Sequence, residues 1–225
     1  MIAKAVIFDL DGTLLDTLAD LTYAVNLVMD DYSLPHRTRD EVASFVGDGA
    51  AKLVERAFPA GTDAEVLQVA TEKYKKLYLE NMLRESAPFP KVTEMLCELK
   101  RRGLLCAVVS NKYYASTHKL CDRFFPMLDG CLGEMEERGI RRKPHPDMLI
   151  EMMRRLGVTA DETIYVGDSE VDLELSRRAG VRCIALSWGM RTRDELIAAG
   201  AEIIADNADE LMREIAKQNT SQTVD

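Results

Sequence analysis

The sequence has little that would mark a secreted, membrane-spanning or disulfide-linked protein. Its five cysteines, Cys97, Cys106, Cys121, Cys131 and Cys183, are odd in number and form no CxxC pair. Such spacing favours neither a zinc site nor a disulfide framework, so we expect buried free thiols in a reducing compartment. No apolar run approaches bilayer length, and no charged-then-apolar signal peptide precedes the first apolar run. We therefore expect a cytoplasmic protein without membrane contact.

Positive charge is also scarce. The 225 residues include 29 Lys and Arg against 38 Asp and Glu, which gives a formal net charge of -9. Such a protein lacks the positive field that gathers nucleic acid or anionic lipid. Any phosphate-bearing substrate is then expected to be a small molecule, or to meet a local cluster of cations. Hydrophobic residues make up 47% of the chain, which is enough for a substantial core.

What the sequence does have is a short apolar run that ends in two acids. Ala5 to Phe8 is predicted to form a strand buried on both faces, and the stretch Asp9-Leu10-Asp11-Gly12-Thr13 follows it. Burying two acids beside a core strand is costly unless a cation or a chemical task accompanies them. We interpret Asp9 as a nucleophile that accepts a phosphoryl group, and Asp11 as its acid/base partner.

Two kinds of periodicity divide the chain that follows. From about Asp16 to about Arg84 the apolar pattern is helical, with a capping-box pattern at Thr38 and Glu41 and no convincing strand. Beyond this block, helices alternate with short apolar strands. That alternation is typical of a parallel sheet covered by helices on both faces.

The expected fold class is therefore α/β, with a doubly wound parallel sheet. Residues 1–15 and 85–225 are predicted to form a discontinuous catalytic core. Residues 16–84 are predicted to form an inserted α-helical cap domain over the carboxyl edge of the sheet, where open α/β sheets place their sites.

Polar residues are predicted to lie in loops at that same edge. Ser110-Asn111-Lys112 comes directly after the strand predicted for Leu104 to Val109, and Gly167-Asp168-Ser169, with Asp172, follows a later strand. Lys143 stands in a basic, proline-stiffened loop ahead of a helix. Because the carboxyl ends of parallel strands meet at one edge, these loops should converge on the first two acids.

Such a set of side chains can support phosphoryl transfer. Asp9 can attack phosphorus, and Asp9 with Asp168 can hold Mg²⁺, which prefers carboxylates, waters and substrate phosphate. Lys143 would add positive charge, and the Ser110 hydroxyl can donate to a phosphate oxygen. Asp11 can protonate the leaving oxygen and later deprotonate the attacking water.

The four motifs together resemble those of the haloacid dehalogenase superfamily of phosphohydrolases, over essentially the whole chain. Asp9 to Thr13 is similar to the first motif, Ser110 to the second, Lys143 to the third, and Gly167 to Ser169 with Asp172 to the fourth. The resemblance implies a Rossmann-like sheet with a helical cap. It also implies that the backbone carbonyl of Asp11 joins the metal ligands, and that the remaining motif residues support the site: Thr13, Asn111, Gly167, Ser169 and Asp172.

Within this superfamily, two further stretches look like those of phosphoglycolate phosphatases, Phe45 to Ala51 and Ser187 to Arg191. The first would be a cap loop that reaches the leaving group. Its candidate substrate contacts are Gly47, Asp48, Gly49 and Lys52. The expected function is Mg²⁺-dependent hydrolysis of a small phosphomonoester, 2-phosphoglycolate by preference, through a covalent aspartyl-phosphate.

Several alternatives stay open at this point. The chain could instead be a phosphomutase or a pyrophosphatase of the same superfamily, or a non-enzymatic phosphoacceptor, although the last needs neither Asp11 nor a cap. Gly47 to Gly49 fits a helix-breaking turn as readily as a substrate contact. Tyr74 and Tyr78 fit packing along a helix, and Arg191 fits a salt bridge at a helix start. A monomer and a dimer are equally compatible with the sequence.

Overall fold

Strands and helices alternate through most of the chain in the computed structural model, which describes residues 3–220. The strands are β1 (Ala5–Phe8), β2 (Leu15–Asp16), β3 (Ala87–Pro88), β4 (Leu105–Tyr113), β5 (Gly130–Glu134), β6 (Thr163–Gly167), β7 (Arg182–Leu186) and β8 (Ile204–Ala205). The helices are α1 (Leu18–Asp31), α2 (Arg39–Phe45), α3 (Ala50–Ala57), α4 (Ala64–Asn81), α5 (Val92–Arg101), α6 (Tyr114–Phe124), α7 (Asp147–Leu156), α8 (Glu170–Ala179), α9 (Arg193–Ala198) and α10 (Ala208–Thr220).

Six of the strands form a parallel sheet in the order β5-β4-β1-β6-β7-β8. Strand β1 lies in the middle, and its four residues are fully buried, which explains why its sequence is apolar without alternation. The strands that follow extend the sheet first to one side of β1 and then to the other. Their carboxyl ends leave a crevice at this change of direction, which is where such sheets bind ligands. The predicted α/β fold is confirmed.

The residues of β1 alternate between two hydrophobic clusters, one on each face of the sheet. Val6 and Phe8 belong to the larger cluster, and Ile7 belongs to the smaller one with Val109 and Tyr165. Full burial of one such side chain contributes roughly 1.5–3 kcal/mol. Packing on both faces therefore fixes the position of β1, and with it the backbone of Asp9, which directly follows the strand. None of the helices within residues 3–220 is both long and apolar enough to cross a membrane.

Four helices, α1 to α4, lie between β2 and β3 and pack on one another; we call them the helical insert. The predicted capping box at the start of α2 is confirmed, because Glu41 N donates to Thr38 Oγ1 at 3.2 Å and Thr38 N donates to Glu41 Oε2 at 2.7 Å. The short strands β2 and β3 pair antiparallel at the two ends of the insert. Asp16, expected to begin the helical block, lies in β2 instead.

Strand β4 is longer than expected, and the prediction that Ser110 to Lys112 form a loop after it was wrong. The strand continues through these residues to Tyr113. Its pairing with β5 shifts register between Val109 and Tyr113, and Tyr113 then pairs with Glu134. Such an irregularity lets a strand continue while its direction changes locally.

Candidate active site

The side chain of Asp9, at the end of β1, makes a buried ion pair. Its Oδ1 lies 2.9 Å from Lys143 Nζ, and only 2% of the Lys143 side chain is exposed. The same Nζ donates to Asp172 Oδ1 at 2.7 Å and to the Tyr165 hydroxyl at 3.2 Å. Although burial acts to lower the pKa of Lys143, the carboxylates of Asp172 and Asp9 raise it above its ordinary value. Lys143 is thus a cation shared by two acids.

Three buried acids form a cluster that includes both carboxylate partners of this cation. One carboxylate oxygen from each of Asp9, Asp168 and Asp172 lies within 4.8 Å of the others. Burial raises the pKa of Asp9 to about 6, the charges of Asp172 and Asp11 add to this effect, and Lys143 opposes it. The pKa of Asp168 is also raised well above its ordinary value, first by burial and then by the charges of Asp172 and Asp9. Excess negative charge among oxygen donors fits Mg²⁺, which binds such ligands.

Asp168 is held in place by the loop after β7 and by the first motif. Met190 N donates to its Oδ2 at 2.6 Å, and Thr13 Oγ1 donates to its Oδ1 at 3.1 Å. A Cβ atom on Gly189 would stand 2.3 Å from Asp168 Oδ2, and one on Gly12 would stand 2.2 Å from it. Glycine at these two positions is therefore what lets both loops approach the carboxylate.

Asp172 is fixed by hydrogen bonds from the start of α8. Ser169 is the N-cap residue, and its hydroxyl and backbone amide donate to Asp172 Oδ2 at 2.6 and 3.2 Å. The Asp168 amide donates to the same oxygen at 3.2 Å. A Cβ atom on Gly167 would lie 2.3 Å from Asp172 Cγ. Asp172 pairs with Lys143 and therefore orients the cation of the site. The nearby cation Arg177 pairs with Glu174 instead.

Asp11 has partners of its own. Lys112 Nζ donates to its Oδ1 and Oδ2 at 2.8 and 2.9 Å, and Thr17 Oγ1 donates to Oδ1 at 2.6 Å. The Lys112 side chain is only 5% exposed, and its Nζ lies 4.2 Å from the centre of the Tyr78 ring. Each of the two acids of the first motif therefore has its own buried lysine.

Asn111 connects three parts of the site. Its Nδ2 donates to the backbone oxygens of Gly47 and Lys143, at 2.9 Å in both cases. Its Oδ1 accepts a hydrogen bond of 2.7 Å from Lys143 N. Ser110, its neighbour in β4, is buried, and its hydroxyl accepts from Lys112 N at 3.4 Å. The bulged end of β4 thus positions the third-motif lysine and touches the helical insert.

A cavity of about 60 Å³ lies between these residues and the helical insert. The site residues expected from the sequence that line it are Asp9, Asp11, Gly47, Gly49, Ser110, Asn111, Asp168 and Ser169. The insert adds an apolar wall formed by Leu21, Leu53, Tyr74 and Tyr78. The arrangement can enclose a small phosphate ester with its phosphorus near Asp9.

The loop at the start of α3 faces the cavity through its glycines. Gly47 and Gly49 have positive φ angles of 127° and 85° and line the cavity. The structure does not bring their charged neighbours there. Asp48 pairs with Arg56 at 2.5 Å, and Lys52 pairs with Glu55 at 2.7 Å on an exposed face.

Three cavity residues, Tyr74, Tyr78 and Arg191, were assigned only structural roles from the sequence. Tyr74 and Tyr78 do pack along one face of α4 as expected, and the same face lines the cavity. Arg191 makes the expected salt bridge, to Glu170, and also donates to the Ala43 oxygen at 3.2 Å. The i, i+4 spacing of the tyrosines indicates a shared face, but which face meets the site depends on how α4 docks.

Comparison with known proteins gives a family match. Residues 6–186 match the family model described as haloacid dehalogenase-like hydrolase. The Probable phosphatase IndB of Dickeya dadantii (strain 3937) is 33% identical over 211 residues, which cover 92% of this chain and 91% of that protein. A Phosphoglycolate phosphatase of Caulobacter vibrioides is 33% identical over 202 residues, which cover 88% of this chain and 84% of that protein.

A solved structure shows the same similarity in three dimensions. A candidate phosphoglycolate phosphatase from Lactobacillus delbrueckii subsp. bulgaricus superposes with a TM-score of 0.90 at 34% identity, over 96% of this chain and 99% of that one. The resemblance inferred from the four motifs is thereby confirmed. Since the family model matches most of its length and its relatives are phosphatases, this chain belongs to the haloacid dehalogenase-like hydrolase family, as an enzyme of the phosphatase class.

Proposed function

We propose that this phosphatase is Mg²⁺-dependent and hydrolyses a small phosphomonoester, preferably 2-phosphoglycolate, through a covalent phosphoryl group on Asp9. The observation that carries the proposal is the position of Asp9. It lies beside the Lys143 cation and within 4.8 Å of Asp168 and Asp172, and it borders the cavity. The choice of substrate is supported by relatives named phosphoglycolate phosphatases and by the small volume of the cavity, about 60 Å³.

Asp9, Asp168 and the backbone carbonyl of Asp11 are the proposed Mg²⁺ ligands. Asp172 is the third acid of the cluster, but its oxygens already accept hydrogen bonds from Lys143, Ser169 and the Asp168 amide, so we assign it a supporting role. The bound ion would offset the repulsion between an anionic nucleophile and an anionic phosphate.

In the first step, a carboxylate oxygen of Asp9 attacks phosphorus and forms an O–P bond. The bond between phosphorus and the leaving oxygen breaks, and Asp11 gives its proton to that oxygen, so that an alcohol departs. Lys143 and the Ser110 hydroxyl bind phosphate oxygens while negative charge builds up on them.

In the second step, Asp11 takes a proton from water as that water attacks phosphorus. The bond between phosphorus and the Asp9 oxygen breaks, which releases inorganic phosphate and restores the Asp9 carboxylate. Asp11 ends the cycle protonated, as it began, so the net reaction is hydrolysis of the ester.

We also propose that residues 1–15 and 85–225 act as the catalytic core and residues 16–84 as a cap that encloses the leaving group. Support comes from the cavity, whose walls combine residues that follow β1 and β6, and residues at the end of β4, with residues of the helical insert. The cytoplasm is the proposed compartment, because all five cysteines are free in the structure, which fits a reducing environment.

The test is a panel of phosphate esters with Mg²⁺, assayed with wild type, Asp9→Asn and a control variant of an exposed acid, Asp161→Asn. We expect Asp9→Asn to lose at least about 1,000-fold in kcat on every ester, because the nucleophile is removed. Undiminished turnover by Asp9→Asn would contradict the mechanism.

The same panel separates the alternatives that the sequence left open. A pyrophosphatase would favour pyrophosphate, a phosphomutase would isomerise sugar phosphates without releasing phosphate, and a phosphoacceptor would give no steady turnover.

A further inference from the structure

The cavity is bordered by a second buried cation besides Lys143 of the acid cluster. Lys112 borders the cavity, its side chain is 5% exposed, and Nζ contacts Asp11 at 2.8 Å. Within residues 3–217, that carboxylate is the only hydrogen-bond acceptor that the structure gives this ammonium group, which carries three donors. The same Nζ also makes a cation–π contact with the Tyr78 ring, 4.2 Å from the ring centre. Lys112 can therefore accept a further anionic partner.

A buried hydroxyl lines the same cavity. Ser116 is fully buried, and its Oγ has no hydrogen-bond partner among the described residues. An unpaired buried polar group costs about 1–3 kcal/mol. A ligand oxygen in the cavity would give the Ser116 hydroxyl the hydrogen-bond partner that it lacks.

The helix that carries Ser116 begins at the cavity. Helix α6 runs for 11 residues from Tyr114, and no side chain caps its N-terminus. Its N-cap residue, Tyr113, lines the cavity together with Ser116. Free backbone amides and the helix dipole favour negative charge at such an end.

We infer that Lys112, Ser116 and the start of α6 form a subsite for a carboxylate carried by the leaving group. The inference rests on the proposed function, in which Asp11 stands beside the leaving oxygen. Because Lys112 Nζ touches Asp11, a carboxylate on the carbon that bears the leaving oxygen would lie next to Lys112. Once Asp11 has given its proton to the leaving oxygen, Lys112 would be shared by two carboxylates, as Lys143 is shared by Asp9 and Asp172.

The substrate class that follows is the phosphate monoesters of small α-hydroxy acids. The insert also lines the cavity with Leu21 and Leu53, whose side chains cannot hydrogen-bond a sugar hydroxyl. Lys75, its cation at the cavity, already donates to Glu72 at 2.9 Å. Esters of neutral alcohols fill the same volume but leave the Lys112 and Ser116 donors without the anion. The subsite is therefore expected to reject them relative to α-hydroxy acid esters.

The experiment compares kcat/KM for 2-phosphoglycolate and for ethyl phosphate, which has a methyl group in place of the carboxylate. The ratio of the two values is the readout, since effects on the shared phosphoryl transfer cancel. We expect a wild-type ratio above about 100, as for sites built to bind a polar group that the competitor lacks. Lys112→Met should bring the ratio close to one, and Ser116→Ala should lower it by about 10-fold. The matched control is Lys119→Met, an exposed lysine of α6, which should keep the wild-type ratio.

The outcomes separate the subsite from the chemistry. A wild type that hydrolyses neither ester defeats the proposed function and the subsite with it. A wild type that hydrolyses both esters equally well, or a Lys112→Met variant that keeps the wild-type ratio, overturns the subsite alone. If Lys112→Met does not fold, product inhibition of the wild type decides: glycolate should compete with substrate, and ethylene glycol should not. Equal inhibition by the two alcohols would overturn the subsite.

Discussion

Asp9 occupies a position that is unfavourable for its charged form. Its pKa is raised to about 6, chiefly by burial and then by the charges of Asp172 and Asp11. The ion pair with Lys143 compensates only in part. In its proposed role as nucleophile Asp9 must be ionised to attack, which would explain a carboxylate at a position where its charge lowers stability.

This conflict predicts a pH-dependent difference between wild type and Asp9→Asn in Mg²⁺-free buffer. Between the ordinary pKa of 3.8 and about 6, folded Asp9 keeps a proton that the unfolded chain releases. Stability of the wild type relative to the variant should therefore fall as pH rises through this window, by up to about 3 kcal/mol. Urea unfolding of both proteins across the window measures it. A difference in unfolding free energy that does not change with pH would contradict the raised pKa of Asp9.

Lys143 should matter for stability as well as for turnover. Lys143→Met leaves Asp9 and Asp172 buried without their shared cation, and breaking such a pair costs about 3–5 kcal/mol near neutral pH. The loss should shrink in acid, where the two carboxyls can take up protons. The control is Lys4→Met, which removes an exposed partner of Glu162 and should change the unfolding free energy little. Equal losses in the two variants would contradict a special role for Lys143.

At the scale of single residues, the acids of the site could be predicted and its second lysine could not. Asp9 and Asp168 follow apolar strands, a pattern that is visible in one sequence. Lys112 stood within a recognised motif, but its contact with Asp11 spans 101 positions and depends on the register between β1 and β4. That register is set by packing across the sheet, which a local pattern does not contain.

At the scale of elements, the loop after β7 shapes the proposed metal site. Trp188 Nε1 donates to the Thr13 oxygen at 3.2 Å, and Met190 N donates to Asp168. Gly189 lies between them, where a Cβ atom would be 2.4 Å from the Gly12 oxygen as well as close to Asp168. This loop therefore aligns the first motif with the fourth.

Gly189→Ala should weaken Mg²⁺ activation by about 10-fold or more, because the added methyl group must displace Asp168 or the Gly12 backbone. The control is Gly103→Ala, at a glycine with a positive φ of 82° and open space around it. That variant should lose stability without a change in the Mg²⁺ concentration needed for half-maximal activity. The same Mg²⁺ dependence in both variants would contradict the assigned role of the loop.

The ends of elements differed in how well the sequence determined them. Helices α7 and α8 end at Gly157 and Gly180, where glycine, the residue typical of helix ends, accepts the left-handed conformation with φ of 70° and 67°. The end of β4 was misplaced because Ser110 to Lys112 are polar, and polarity at the end of an apolar run resembles a loop. Pairing with β5 after the register shift keeps them in the strand.

At the scale of the whole molecule, two side chains connect the sheet edge to the helical insert. Asn111 donates to the Gly47 oxygen, and Arg191 donates to the backbone oxygens of Ala43 and Val46. Both reach carbonyl groups near the end of α2. If the insert acts as a cap, these contacts determine how firmly it closes over the cavity.

Arg191→Met should speed hydrogen exchange in α2 and α3 by about 10-fold while exchange in the central strands stays slow. The physical reason is the loss of two hydrogen bonds to the insert together with the Glu170 ion pair. Arg193→Met is the matched control, since Arg193 pairs with Asp206, outside the insert. Uniform acceleration across the protein would instead indicate global destabilisation.

The central claim is that Asp9 carries the phosphoryl group during turnover, and direct detection of that adduct is its sharpest test. The measurement uses Asp11→Asn with p-nitrophenyl phosphate and Mg²⁺, followed by acid quench and peptide mass spectrometry. Nitrophenolate leaves without a proton, so the first step should proceed, while loss of the general base should slow the second. The account predicts a phosphoryl group on the peptide that contains Asp9. Release of nitrophenolate with no adduct, or with an adduct on another residue, would contradict it.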